Sequence, residues 1–484
     1  MCHPNTVHQI EAQIEARPIM TKTLNHPEIR IGITKLNRIS KSIACSLTTL
    51  VFLVTLTTSA FAEKTAYRAR DFLYTVGAGF GTTGSDLDQA RGCGAYGGFH
   101  VFRGGMGHTD EYLTLCKELD AKIVLFTFIG SVPKDKPHAA PSPAVVVAAA
   151  KPLAQAGVLL AVEGPNEPNN WPNFTYKGMT NTAKDWTALA HWTKDLYAAM
   201  KADPATKNIP ILTCSALGGQ ANNTGMQYLT VPTPKPDGVL MPAGTKFADG
   251  YCSHGPYKDP GPWEAFQNTK QGDAYKDLHY VDWNELVGGP SLDQMASIPK
   301  VISEMYSFDS WGGKPSTIAG GNGDVKNYLG AFAGGYLGTC AYVLTINNGV
   351  HEDENLFDFV DDQYRPLAAA TVIHNLTTIL ADPSKDFSPS QLGYTISGAP
   401  KTCHDLLMQK STGEFELVIF DERGAGFTAF NLMVKLGGTH TNVKVFDVTT
   451  GTTPVQNLGS VNTVTLGMID HPMIIEMDSN LDAK

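Results

Sequence analysis

From about Thr65 to Ala381 the chain repeats one pattern: a short, nearly continuous apolar run, then an amphipathic stretch of helical period. Residues 121–128 and 158–162 are such runs. Strands of this kind are buried on both faces, as in a parallel sheet covered by helices. Residues 97–103, 209–215, 247–253, 300–304 and 340–345 read the same way, and a first strand is predicted near 72–76. Between them, residues 109–119 place Leu113, Cys116 and Leu119 on one helical face. Residues 182–200 do the same for Trp186, Leu189, Trp192, Leu196 and Met200, so these tryptophans read as core. Residues 144–157 and 367–380 supply further helices. Eight such units in roughly 310 residues predict an α/β fold, a (β/α)8 TIM barrel with loop insertions. A doubly wound open sheet is the alternative, but Gly77-Ala78-Gly79-Phe80-Gly81 lacks the spacing of a dinucleotide turn.

From about Asp386 the period changes. Residues 394–397, 405–409, 414–420, 432–436, 443–448, 463–466 and 473–477 read as short strands separated by Gly, Pro, Asn or Asp turns. They predict a small all-β sandwich over 386–484, an accessory domain behind a catalytic barrel at 63–385. Ahead of both, Lys35, Arg38 and Lys41 precede an apolar run at 43–56 and the small-x-small site Ala60-Phe61-Ala62. Residues 1–62 therefore read as an export signal, with Met20 as an alternative start. A membrane anchor is the other reading, for which the apolar run is short. The expected location is secreted or periplasmic, without stable membrane insertion after cleavage.

The chain has 484 residues, 42% of them hydrophobic, enough to fill a core. Its formal net charge is -10 and no basic run follows the signal, which argues against nucleic acid as a partner. Cys93, Cys116, Cys214, Cys252, Cys340 and Cys403 contain no C-x-x-C spacing, so no structural zinc site is expected. Export would permit some of them to pair, and the spacing leaves the connectivity open.

Active sites of such barrels lie at the carboxyl ends of the strands. The fourth apolar strand ends in Glu163-Gly164-Pro165-Asn166-Glu167-Pro168-Asn169, and the seventh in Ile302-Ser303-Glu304. A charged group ending an apolar strand is costly unless it is paired or faces a cleft. The two glutamates are 304 − 167 = 137 residues apart, about three βα units, which brings strand ends four and seven face to face across a barrel. Two carboxyl groups there would stand ~5 Å apart, the spacing of a retaining glycosidase. Their repulsion would keep one protonated as acid while the other stays ionised as nucleophile. Asn166 offers a donor and an acceptor to a sugar hydroxyl, and Glu163 buttresses the pair. The run His351-Glu352-Asp353-Glu354 reads as a substrate-lining or solvated loop rather than a metal site.

These motifs resemble the clan A glycoside hydrolases, including families 39 and 79. That clan pairs an Asn-Glu acid/base on strand four with a glutamate nucleophile on strand seven. The resemblance implies a retaining β-glycosidase acting on an oligo- or polysaccharide, with Glu167 as acid/base, Glu304 as nucleophile, and neither metal nor cofactor. It extends to Glu354-Asn355-Leu356-Phe357-Asp358 and Tyr364-Arg365-Pro366-Leu367. It also implies that Arg103 holds the nucleophile ionised and that His254 and Tyr257 line the substrate. The His-Tyr pair has two residues between them where the clan usually has one. The tryptophan common at the end of strand eight is replaced by Thr345-Ile346-Asn347-Asn348. Trp171, Trp263, Trp283 and Trp311 lie in loop-like stretches and suit either sugar stacking or burial. A catalytically degenerate barrel that binds sugar is the alternative function. The residues assign neither a particular sugar nor an oligomeric state.

Overall fold

The computed structural model describes residues 61–81, 87–130, 136–168, 170–182, 185–215, 233–234, 237–238, 245–246, 248–254, 299–305, 314–345, 354–360, 363–384, 386–423, 429–468 and 470–479. The export segment expected over 1–62 lies outside them, apart from Phe61 and Ala62. Among the described residues no helix is long and apolar enough to cross a membrane.

Two short strands, β1 (Glu63–Thr65) and β2 (Tyr67–Arg68), lead into helix α1 (Ala69–Leu73). A parallel sheet then alternates with helices: β3 (Val76–Gly79), α2 (Leu87–Gly97), β4 (Val101–Gly105), α3 (Thr109–Glu118), β5 (Lys122–Phe126), α4 (Pro143–Gln155), β6 (Leu159–Glu163) and α5 (Thr187–Ala202). It continues with β7 (Tyr251–His254), β8 (Lys300–Met305), α6 (Ile318–Ala333) and β9 (Gly338–Ala341). The spatial order β7-β8-β9-β3-β4-β5-β6 makes one curled seven-stranded sheet. Its two edges approach a common segment: Val162 bridges Ile211, and Leu212 bridges Gly250, both in parallel. Leu212 N–H donates to Val162 O at 2.8 Å, and Thr213 N–H to Gly250 O at 3.2 Å. The run expected as a strand at 209–215 thus makes isolated bridges rather than a full ladder.

Inside the curl, Val101, Val124, Ala161, Leu212, Cys252, Val301 and Cys340 form one apolar cluster, contributed by successive strands and the bridging segment. Small side chains suit this confined space. None of the six cysteines after residue 62 forms a disulfide, and five of them are buried. Cys252 and Cys340 act as small apolar fillers here. Outside the curl, the helices pack on the sheet through Phe72, Phe99, Phe102, Leu115, Leu153, Leu189 and Trp192. Trp186 and Trp192 are core, as their spacing predicts.

The first strand differs from the expectation. Phe72 and Leu73 belong to α1, and the ladder begins at Val76. Phe72 and Leu73 are the buried face of a short helix, and the strand is built from Gly77-Ala78-Gly79. A Cβ on Gly77 would lie 2.3 Å from the Val101 backbone oxygen, so only glycine lets these strands close up. Glycine is a poor strand signal, which hid this element.

A hairpin, β10 (Phe357–Val360) and β11 (Gln363–Pro366), precedes the closing helix α7 (Ala368–Ile379). The remaining chain forms β12 (Gln391–Ser397), β13 (Cys403–Gln409), β14 (Phe415–Asp421), β15 (Phe430–Asp447), β16 (Gln456–Met468) and β17 (Met473–Met477). These strands form one mostly antiparallel sheet, ordered β1-β12-β15-β17-β14-β13-β2, with β16 also on β15. The two strands expected at 432–436 and 443–448 are a single 18-residue strand, β15. Because β15 serves both halves, the expected sandwich is one continuous sheet whose halves share a core of Tyr394, Leu417, Val434, Val445, Leu466 and Ile475. The chain from Ser59 to Lys484 clusters as one compact unit. Met408, Val418, Phe420, Phe446 and Ile474 join the apolar cluster of the parallel sheet's helices. Asn375 on α7 donates to Val448 O at 2.8 Å.

Candidate active site

Five residues singled out by the sequence meet at the carboxyl ends of the parallel strands. Arg103 comes from β4, Asn166 and Glu167 follow β6, His254 ends β7, and Glu304 lies near the end of β8. Each is at most 8% exposed. Arg103 organises the group. Its Nε and Nη2 donate to the two oxygens of Glu163, at 2.8 and 2.7 Å, as a bidentate pair. Nη1 donates to Glu304 Oε1 and Nη2 also to Asn166 Oδ1. The guanidinium lies 4.5 Å from the centre of the Phe126 ring. Burial opposes the Arg103 charge, but Glu163 and Glu304 outweigh it and keep the group a permanent cation.

Glu167 has φ 43°, in the left-handed region that non-glycine residues seldom adopt. Its backbone is held there from both sides. Glu167 N–H donates to Ser215 O at 2.8 Å, and the N–H groups of Asn170 and Trp171 donate to Glu167 O at 2.8 and 2.7 Å. Such a conformation costs about 1–3 kcal/mol and persists where the surroundings impose it. Here it turns the carboxylate inward, where Asn170 Nδ2 donates to Oε2 at 3.0 Å.

His254 is the point where the two glutamates meet. Its Nδ1 lies 2.6 Å from Glu167 Oε1 and 3.2 Å from Glu304 Oε2. Toward an ionised Glu167, which only accepts, Nδ1 is the donating nitrogen. Nε2 lies 3.9 Å from Glu163 Oε1. Burial would lower the imidazole's pKa, but Glu304, Glu163 and Glu167 raise it to about 9. Burial likewise pushes the Glu167 carboxyl up, yet the hydrogen bond and charge of His254 hold it below its ordinary value. For Glu163, burial is outweighed by Arg103 and then His254, and the carboxyl lies well below the usual range.

Donor atoms of Glu167, His254 and Glu304 lie within 4.8 Å of one another, the spacing of a candidate cation site. The geometry does not suit a resident metal. Ligands of a tetrahedral centre with bonds of ~2.1 Å stand about 3.4 Å apart, whereas Nδ1 and Glu167 Oε1 are 2.6 Å apart, a direct hydrogen bond.

The sequence reading missed several participants. Ser215, wholly buried at the end of the bridging segment, donates its hydroxyl to Glu163 Oε1. Asn170 was passed over, although it directly follows the Glu167 motif. Tyr342, one residue beyond β9, has its hydroxyl pKa raised by burial and then by the charges of Glu304 and Glu354. Trp171 is half-buried and contacts the site through its backbone. Tyr257, Trp263, Trp283, Trp311 and His351 to Asp353 lie outside the described residues. Two cavities of about 450 Å³ open elsewhere, one beside Tyr74 and His100, the other beside Gln89 and Tyr364. Neither brings two buried carboxylates together.

This parallel sheet with an attached antiparallel one is a fold that glycoside hydrolases use. The chain is similar to a glucosidase from Croceicoccus marinus, with 12% identity and a TM-score of 0.54 over 87% of this chain and 98% of that one. It is also similar to a family 39 glycoside hydrolase from the gut symbiont Bacteroides cellulosilyticus WH2, with 13% identity and a TM-score of 0.55 over 84% and 82%. No protein-family description and no curated protein matches the sequence.

Proposed function

We propose that this protein is a retaining glycoside hydrolase that cleaves β-glycosidic bonds of an oligo- or polysaccharide. In this reading the curled sheet is a complete (β/α)8 barrel, with residues 210–215 as the strand joining β6 to β7. The bridges at Ile211 and Leu212 support that closure.

One observation carries the functional reading: oxygens of Glu167 and Glu304 lie within 4.8 Å of each other and reach the same imidazole nitrogen. Retaining glycosidases hold their carboxyl groups about 5–5.5 Å apart, whereas inverting ones need about 6.5–9.5 Å to admit a water. Glu304, hydrogen-bonded by Arg103, attacks the anomeric carbon while Glu167 protonates the leaving oxygen. Water, deprotonated by Glu167, then attacks the glycosyl ester and releases the sugar with retained configuration. With Asn166 Oδ1 held by Arg103, the Asn166 amide N–H is the end that donates to a sugar hydroxyl. Tyr257 and Trp171 are proposed as further substrate contacts. The exported location belongs to the same proposal.

Purified Glu304→Ala and Glu167→Ala proteins, assayed on a panel of aryl β-glycosides and β-glucans, test it. Each variant is expected to lose at least ~100-fold in kcat/KM while keeping the wild-type circular dichroism spectrum. Full activity in either folded variant would overturn the assignment.

A further inference from the structure

The proposed pair leaves one difficulty. Glu167 must donate a proton, yet in the free protein the imidazole beside it favours the ionised carboxylate. The same imidazole faces the nucleophile, so a single nitrogen stands between acid and nucleophile, 2.6 Å from one and 3.2 Å from the other.

We propose that His254 stores the catalytic proton on Nδ1 and hands it to Glu167 Oε1 as Glu304 becomes esterified. The inference rests on the glycosidase reading above. In the first half-reaction the His254 N–H bond breaks and a Glu167 O–H bond forms. That proton passes to the leaving oxygen as its bond to the anomeric carbon breaks and a Glu304 oxygen bonds to that carbon. In the second half-reaction water gives its proton to Glu167 and its oxygen to the anomeric carbon. The ester bond to Glu304 breaks, and the proton returns to Nδ1. The anion at Glu304 makes the transfer reversible. While ionised, it holds the proton on the imidazole; once esterified, it no longer does, and Glu167 becomes the better base.

The groups around His254 fit this role. Arg103 on β4 faces it through Glu163 and Glu304, and its charge is permanent. Glu163 at the end of β6 stands at Nε2 and stays ionised throughout. Glu167 and Glu304 face Nδ1, Tyr342 lies beyond β9, and on β7 itself Cys252 donates its thiol to Ser303 Oγ at 3.0 Å. Glu167 and His254 are therefore the pair that exchanges a proton during turnover.

Nitrogen NMR of the histidine-labelled full-length protein tests the store directly. In the free enzyme His254 is expected to be an imidazolium at pH 7. In the glycosyl-enzyme trapped with a 2-deoxy-2-fluoro aryl glycoside it is expected to be neutral. An unchanged titration midpoint in the two states, or a neutral ring in the free enzyme, overturns the proposal. His254→Asn keeps a donor at the position but has no proton to give. Its ratio of kcat/KM on 4-methylumbelliferyl to 2,4-dinitrophenyl glycosides is expected to fall ~100-fold below wild type, because only the poorer leaving group needs the acid. Equal losses on both substrates would mark His254 as structural and sink the relay. If the wild-type protein cleaves no glycoside and Glu304 takes no label, the glycosidase reading fails and the relay with it. Labelling of Glu304 with an unaltered His254 titration removes the relay alone.

Discussion

Arg103 shows how one residue can fix a whole site. Its guanidinium neutralises two buried carboxylates and holds one amide, all from the middle of a strand. Arg103→Ala would leave Glu163 and Glu304 buried without their cation. Breaking a buried pair in this way costs about 3–5 kcal/mol, and urea denaturation should register that loss. A loss under ~1 kcal/mol would mean that the carboxylates have other support. The titrating groups define the pH range. Glu163 is depressed, so its contribution is present above pH 4.5 and lost as pH falls toward its folded value. His254 is raised, so its contribution is present below pH 6.5 and lost as pH rises through about 9. The melting temperature is therefore expected to decline between pH 6.5 and 9, less so in His254→Asn. Glu167 and Glu304 were legible because a carboxylate ending an apolar run is conspicuous. Ser215 was not, because an ordinary polar residue meets Glu163 only when distant strand ends come together.

Among the elements, β3 was the hardest to read and is the most sensitive to change. Its glycines carry no apolar signal, yet Gly77 stands against the Val101 backbone. Gly77→Ala is expected to destabilise the protein by ~2 kcal/mol or more, since a backbone neighbour must move. A melting temperature equal to wild type would contradict this packing. In the antiparallel sheet, Glu416 on β14 lies opposite Glu476 on β17, which lies opposite Lys444 on β15. Glu416 is fully buried, and burial raises its carboxyl to about 8 despite Lys410 at 2.6 Å. A raised carboxyl contributes stability that is present below pH 4.5 and lost as pH rises through 8. Glu416→Gln should therefore narrow the difference in melting temperature between pH 5 and pH 9 by ~3 °C or more. An unchanged difference would assign the alkaline loss to His254 alone. The alternation of β15 was visible in the sequence, but its continuity through residues 437–442 was not, because Gly437 and Gly438 read as a turn.

For the whole molecule, the change from helical to short-strand period near residue 386 marked the two parts of the chain. It did not show that the first residues after 62 pair with the last part. Glu63 to Thr65 align with Gly393 to Gln391, and Tyr67 with Met408. Those pairings are long-range, and β1 and β2 are too short to carry a periodic signal. The shared apolar cluster between the antiparallel sheet and the helices makes the parts interdependent. A fragment spanning 63–385 would expose that cluster and is expected to be insoluble or to melt well below the full chain. A soluble fragment with the full-length melting temperature would show instead that the parallel sheet stands alone.

The central claim is that two strand-end glutamates act on one anomeric carbon from opposite roles. Peptide mass spectrometry after reaction with a 2-deoxy-2-fluoro aryl glycoside tests it most directly. The account expects a single fluoroglycosyl adduct on Glu304 that accumulates with release of the aryl group. An adduct on another residue, or hydrolysis that gives an inverted first product and no adduct, would contradict it.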